Sequence, residues 1–129
     1  MTSEHAIEIF AVVNFVVVGI SHIVQPRAWV RFFEVLREKG HTGVFVNGML
    51  SLMVGSIIVA FHNVWTGIPA VLTFIGWAQV LKALIALTAP QVSMKGLMRV
   101  SNERAWEFQA AGAVFLVVSA VIASNWLPR

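Results

Sequence analysis

The chain has 129 residues, 58% of them hydrophobic and only 12% charged, with a formal net charge of +3. Its mean hydropathy is +0.81; a soluble domain carries about 25% charged residues, so this balance points to a single polytopic membrane domain. Cysteine is absent, which excludes disulfides and thiolate metal sites, and no glycine-rich phosphate loop or nucleophile motif occurs.

The N-terminal stretch MTSEHAIEIF carries Glu4 and Glu8 but no Lys or Arg. A secretory signal needs a basic start and a small-residue cleavage site, so the first apolar run is read as a retained helix over about residues 4–24. Thr2 or Ser3 is placed to cap it, with the glutamates at the favourable end of the helix dipole. Asn14, inside this run, calls for a hydrogen bond to a neighbouring helix.

Pro26 ends the first run and suits the first turn of a second helix, about residues 26–39. There Trp29, Phe32, Phe33 and Leu36 recur at i, i+3, i+4 and i+7, with Arg27, Arg31, Glu34 and Glu38 on the other side. The segment is too charged to span and reads as an amphipathic helix lying in the membrane interface, or as a partner-binding helix. Gly40 closes it.

The chain is organised around residues 40–90, two apolar segments joined by the turn HNVWTGIP. The second span, about 42–62, carries Asn47, Ser51, Gly55, Ile58 and His62 on one face, with Gly48 beside it. Small residues let helix backbones approach in lipid and polar ones bond across, so this face is expected to meet protein. The third span runs over about 69–87 with Lys82 as its one charge, and Pro90 closes it. Trp77 lies towards its middle and needs a partner for its indole N–H. A short basic surface helix, about 91–99, precedes the fourth span at about 103–125, which Asn102 is placed to cap. The expected fold is therefore all-α: a four-transmembrane-helix bundle with amphipathic surface helices. An offset of 64 residues carries Pro26 onto Pro90, Arg31 onto Lys95 and Gly48 onto Gly112, which suggests two hairpins of similar plan.

With four spans, both proline-initiated connections fall on one side. That side and its helix ends hold Arg27, Arg31, Arg37, Lys39, Lys82, Lys95, Arg99 and Arg104, and the other holds only Arg129. The positive-inside rule then puts both surface helices in the cytoplasm and both termini outside it. Trp65 and Trp126 fit the outer aromatic belt, Trp29 and Trp106 the inner one. The pI near 10.2 is thus accounted for by topology, without a nucleic-acid partner. The expected partners are the lipid bilayer and a homo-oligomer or larger membrane complex.

Two constellations could carry chemistry. On the basic side, Lys82 and Glu107 are expected at similar depth, with Gln79 on the face of Lys82 and with Asn47 and His22 entering from other spans. One reading is a small polar binding or proton-coupled site, since ionisable groups in a membrane face the bundle interior or a cavity. The other is a Lys–Glu pair pinning two helices, or a lysine that snorkels. On the opposite side His5, Glu8 and His62 are weak candidates for Zn²⁺ or Cu²⁺, although their spacing matches no metal signature; interfacial histidines capping helix ends are the plainer reading. Haem would need His22 and His41, which sit on separate segments with nothing to set them opposite each other. No cofactor is implied.

Residues 60–87, with His62, Asn63, Trp65, Thr73, Gly76, Trp77 and Lys82 at the matching positions, resemble uncharacterised small four-helix inner-membrane proteins of bacteria that carry an HN-aromatic turn followed by a GW…K helix. The resemblance covers about a fifth of the chain. It implies a bacterial inner-membrane location and no particular activity. The function expected is a non-enzymatic one, binding a small ligand or lipid or serving as an accessory subunit. The alternative is a small transporter or channel using the Lys82–Glu107 region. An enzyme stands third, without a nucleophile–base pair or metal motif to support it.

Overall fold

In the computed structural model, which describes residues 1–128, the chain is all-helical. Arg129, the one basic residue assigned to the side of the termini, lies outside the described residues. The helices are α1 (Ser3–Val24), α2 (Pro26–Glu38), α3 (His41–Phe61), α4 (Ala70–Thr88), α5 (Pro90–Met98) and α6 (Trp106–Ser124), with a 3₁₀ turn at Asn102–Arg104 before α6. Four of them, α1, α3, α4 and the Asn102–Ser124 segment, are long and apolar enough to cross a membrane. Their outward faces fit that reading. On α1, Val13, Val17, Ile20 and Val24 step along one side and are all at least half exposed, an apolar stripe that water would not tolerate.

The local signals explain most helix ends. Thr2 Oγ1 accepts the His5 N–H at 3.1 Å and caps α1. Proline opens α2 and α5, where its missing N–H costs nothing. Gly40 and Gly67 take φ of 63° and 69°, which a side chain would resist, at the two corners flanking α3 and α4. Asn102 does not cap the last span as expected. The chain makes a 3₁₀ turn there and α6 begins only at Trp106, with no side-chain cap.

The four long helices pack as two tight pairs, α3 with α4 and α1 with α6, and the pairs meet each other more loosely. Glycine makes each pair. A Cβ added to Gly55 would lie 2.8 Å from the Gly76 carbonyl oxygen, and one added to Gly112 would lie 2.5 Å from that of Gly19. The expected protein-facing stripe of α3 is buried at Gly48, Ser51, Gly55 and Ile58. α2 and α5 lie together across one end of the bundle. There Arg37 donates to the carbonyls of Leu97 (3.2 Å) and Val100 (2.9 Å), satisfying the end of α5. Trp29 and Phe33 turn inward against His22 and Phe108, so this face of α2 packs on protein.

The 64-residue offset extends to the whole architecture. It maps α1 onto α4, α2 onto α5 and α3 onto α6, and so maps the α1–α6 pair onto the α4–α3 pair. The kinks before the prolines match: Gln25 and Ala89 have φ, ψ of −125°, 52° and −138°, 64°. So does one pair of close approaches. A Cβ on Gly48 would meet the Cβ of Ala86 at 2.8 Å, and one on Gly112 the Cβ of His22, the counterpart of Ala86, at 2.9 Å. Since α1 and α4 run the same way, the halves are parallel repeats about an axis through the bundle centre.

Candidate functional site

At the end that carries the termini, one buried polar cluster ties all four long helices together. Glu8 of α1 is 6% exposed, and His62, just past α3, and Thr73 of α4 are fully buried. His62 Nε2 lies 3.0 Å from Glu8 Oε1, and Trp126, just past α6, donates its indole N–H to Glu8 Oε2 at 2.7 Å. An ionised carboxylate can only accept, so Nε2 carries the proton and donates it to Glu8. Nδ1 of the same ring lies 3.0 Å from Thr73 Oγ1, whose hydroxyl donates to the Val64 carbonyl oxygen at 2.7 Å. Thr73 Oγ1 also accepts the Val64 N–H at 3.0 Å.

A carboxylate–imidazole–hydroxyl chain is the constellation of a hydrolytic triad. Here, however, the hydroxyl is sealed inside the protein and already holds the Val64 backbone. The cluster therefore locks the helix ends together. Its histidines are engaged within the protein. His5 stands 3.7 Å from Glu8 and packs edge-on against the Trp126 ring at 5.2 Å. Both ring nitrogens of His62 are engaged, and among the described residues no group of three or more His, Asp or Glu side chains is placed to hold a metal ion.

The polar network expected around Lys82 is divided among three cavities. Asn47 and Lys82 line a cleft of about 550 Å³ between α3, α4 and α5, floored by Phe33, Leu97 and Phe108. Gln79 lines a central cavity of about 400 Å³. His22 and Glu107 line a third of about 230 Å³, with Arg99 and Arg104. Glu107 does not meet Lys82; it accepts from Arg99 at 2.6 Å. The reason is architectural. α6 starts late, so Glu107 sits in its first turn beside the end of α5, and α4 packs on α3 and hardly touches α6. The hydrogen bond and charge of Glu107 raise the Arg99 pKa further. His22 is spent on packing, stacked on Trp29 at 4.1 Å with its Nδ1 2.8 Å from the Val18 carbonyl oxygen.

No protein-family model, curated protein or solved structure matches this chain.

The central cavity is lined by all four long helices and sits where the two tight pairs meet. Phe10 and Phe74, Ala11 and Ile75, and Val54 and Val118 are counterparts under the 64-residue offset, and all six line it. The cavity therefore straddles the axis of the repeat. Its polar groups are few. The Asn14 amide donates to the Phe10 carbonyl of its own helix at 2.8 Å, so the interhelical bond expected of it is not made. Trp77 finds its partner in the turn, at Asn63 Oδ1, 3.3 Å away, because α4 starts at Ala70 and the ring reaches back two turns.

Three contributors escaped the sequence reading. Trp126 was read only as a belt residue, and its role depends on a contact 118 positions away in the chain. Arg99 and Arg37 were counted only as topology charges. The signal for Arg99 was its place at the end of a helix facing the start of the next.

Proposed function

We propose that the protein is a non-enzymatic integral membrane protein that binds an apolar or amphiphilic small molecule between its two helix pairs. The central cavity carries this reading. It is apolar, lies midway along the four long helices, and has the size of an ordinary small-ligand site, about 300–1,000 Å³. The packing around it supports the reading too, since each pair is closed by glycine while the seam between pairs is loose. The basic residues gathered around α2 and α5 favour a cytoplasmic position for those helices, with both termini outside, and the resemblance carried by residues 60–87 favours a bacterial inner membrane. Transport of the same molecule is the second reading, supported by the parallel repeat with a cavity on its axis.

Native mass spectrometry from lipid nanodiscs tests binding and reports self-association at once. Wild-type protein is expected to retain a bound lipid-like molecule, and Val118→Trp, which fills the cavity, to lose it. Equal retention by a folded Val118→Trp would remove the central cavity as the site. Flux across proteoliposomes carrying the retained molecule separates transport from binding.

A further inference from the structure

The cleft beside the central cavity holds a cation that the protein itself does not neutralise. Lys82 lies six residues before the end of α4, about 9 Å along the axis from the surface-helix end. Among the described residues it makes no ion pair and no hydrogen bond, whereas Glu107 is paired with Arg99. The cleft lining contains no carboxylate. The Asn47 amide faces the same space from α3 and likewise has no hydrogen-bond partner among the described residues. The adjoining third cavity shares Phe33, Gly96, Val100 and Phe108 with the cleft and brings in Arg99 and Arg104. On the other side the cleft abuts the central cavity at Ala78, which lines both.

Building on the binding function above, we propose that the ligand is an anionic lipid whose head group is held by Lys82 and Asn47 in the cleft and whose chain passes Ala78 into the central cavity. Each part of that molecule meets its complement. An unpaired ammonium and an unpaired amide in an apolar cleft recognise an anionic oxygen, the ammonium by charge and the amide by a hydrogen bond. Basic pockets between membrane helices hold anionic head groups in this way. The depth of Lys82 suits a head group at the inner boundary of the surface helices, and the aromatic and aliphatic lining beyond Ala78 suits a hydrocarbon chain.

The test uses the full chain, delipidated in detergent and titrated with dioleoylphosphatidylglycerol or dioleoylphosphatidylcholine, with binding read by native mass spectrometry and by the rise in Tm. Wild type is expected to prefer the anionic lipid roughly fivefold or more, the scale of one favourable cationic contact. Lys82→Met should bring the ratio close to one, Lys82→Arg should keep it, and Arg27→Gln on exposed α2 should leave it unchanged. Ala78→Trp should weaken both lipids together without altering the ratio; if circular dichroism shows that it does not fold, Ala78→Leu replaces it. An unchanged ratio in Lys82→Met overturns the head-group assignment, as does an equal Tm rise with inorganic phosphate alone. Unchanged affinity in a folded Ala78 variant overturns the chain route. If wild type binds both lipids equally, only the anionic inference falls; if it binds neither, the binding function falls with it.

Discussion

Gly55 and Gly96 are both helical glycines, and alanine should act on them with opposite sign. In an exposed helix alanine is favoured over glycine by about 0.8–1.0 kcal/mol. A Cβ on Gly96 meets nothing within 4 Å, so Gly96→Ala should stabilise by about that much. At Gly55 the same methyl would lie 2.8 Å from the Gly76 oxygen, 2.9 Å from the Gln79 Cβ and 2.9 Å from the Val80 nitrogen. Two of those three atoms are backbone and cannot rotate away. Reaching ordinary contact at 3.4 Å means moving α4 outward by about 0.6 Å along much of the pair. Overpacking of this kind costs about 1–3 kcal/mol. After the propensity gain, Gly55→Ala should lose up to about 2 kcal/mol, and Gly55→Leu should lose considerably more. Unfolding by dodecyl sulfate, followed by circular dichroism in mixed micelles, measures both. Stabilisation of similar size at the two sites would show that α3 and α4 are not in backbone contact, and the two-pair architecture would fall with it.

Glu8→Ala removes the acceptor of two N–H groups, one of them on fully buried His62; an unsatisfied buried donor costs about 1–3 kcal/mol, so a loss of at least that size is expected in the same unfolding assay, together with a changed Trp126 emission. Additivity is the expected outcome of a double-mutant cycle with Lys82→Met and Glu107→Gln, and coupling above about 0.5 kcal/mol would mean that the two meet after all. Arg37→Met should release the end of α5 and speed proteolysis around Val100 while leaving the long helices intact. For orientation, cysteines placed at positions 2 and 127 should react with an impermeant thiol reagent on intact cells and one at position 95 should not; the reverse pattern would invert the topology.

Hydropathy and proline placement were enough to outline the helices, because spans of this length leave few alternatives and most boundaries carry a chemical mark, the uncapped start of α6 excepted. The repeat was visible in three matching positions and extends to the packing, because a Cβ on Gly48 or on Gly112 would run into the Cβ of residues related by the same offset, Ala86 and His22. Which helices pair was not legible. Lys82 and Glu107 were expected to meet on depth alone, and depth does not say which neighbour a helix faces. Of the metal candidates Glu8 and His62 do meet, but Trp126 and Thr73 complete their cluster; Trp126 reaches it from 118 positions away, and the motif that holds both His62 and Thr73 does not reveal that they bond. The central cavity depends on a gap between helix pairs, and a gap leaves no mark on a sequence.

The pairing also constrains how the molecule can be made. α3 and α4 are adjacent in the chain and can zip together through Gly55 and Gly76 as they emerge. α1 leaves the ribosome before the other three long helices, yet its tight partner α6 is the last of the four to follow. Until then the Gly19 groove of α1 is open, and Glu8 waits for an indole almost the whole length of the chain away. Assembly of the four-helix bundle thus closes as a ring, the last of these helices joining the earliest, and the growing chain passes through a stage in which an acidic, half-built helix end stands without the partners that bury it.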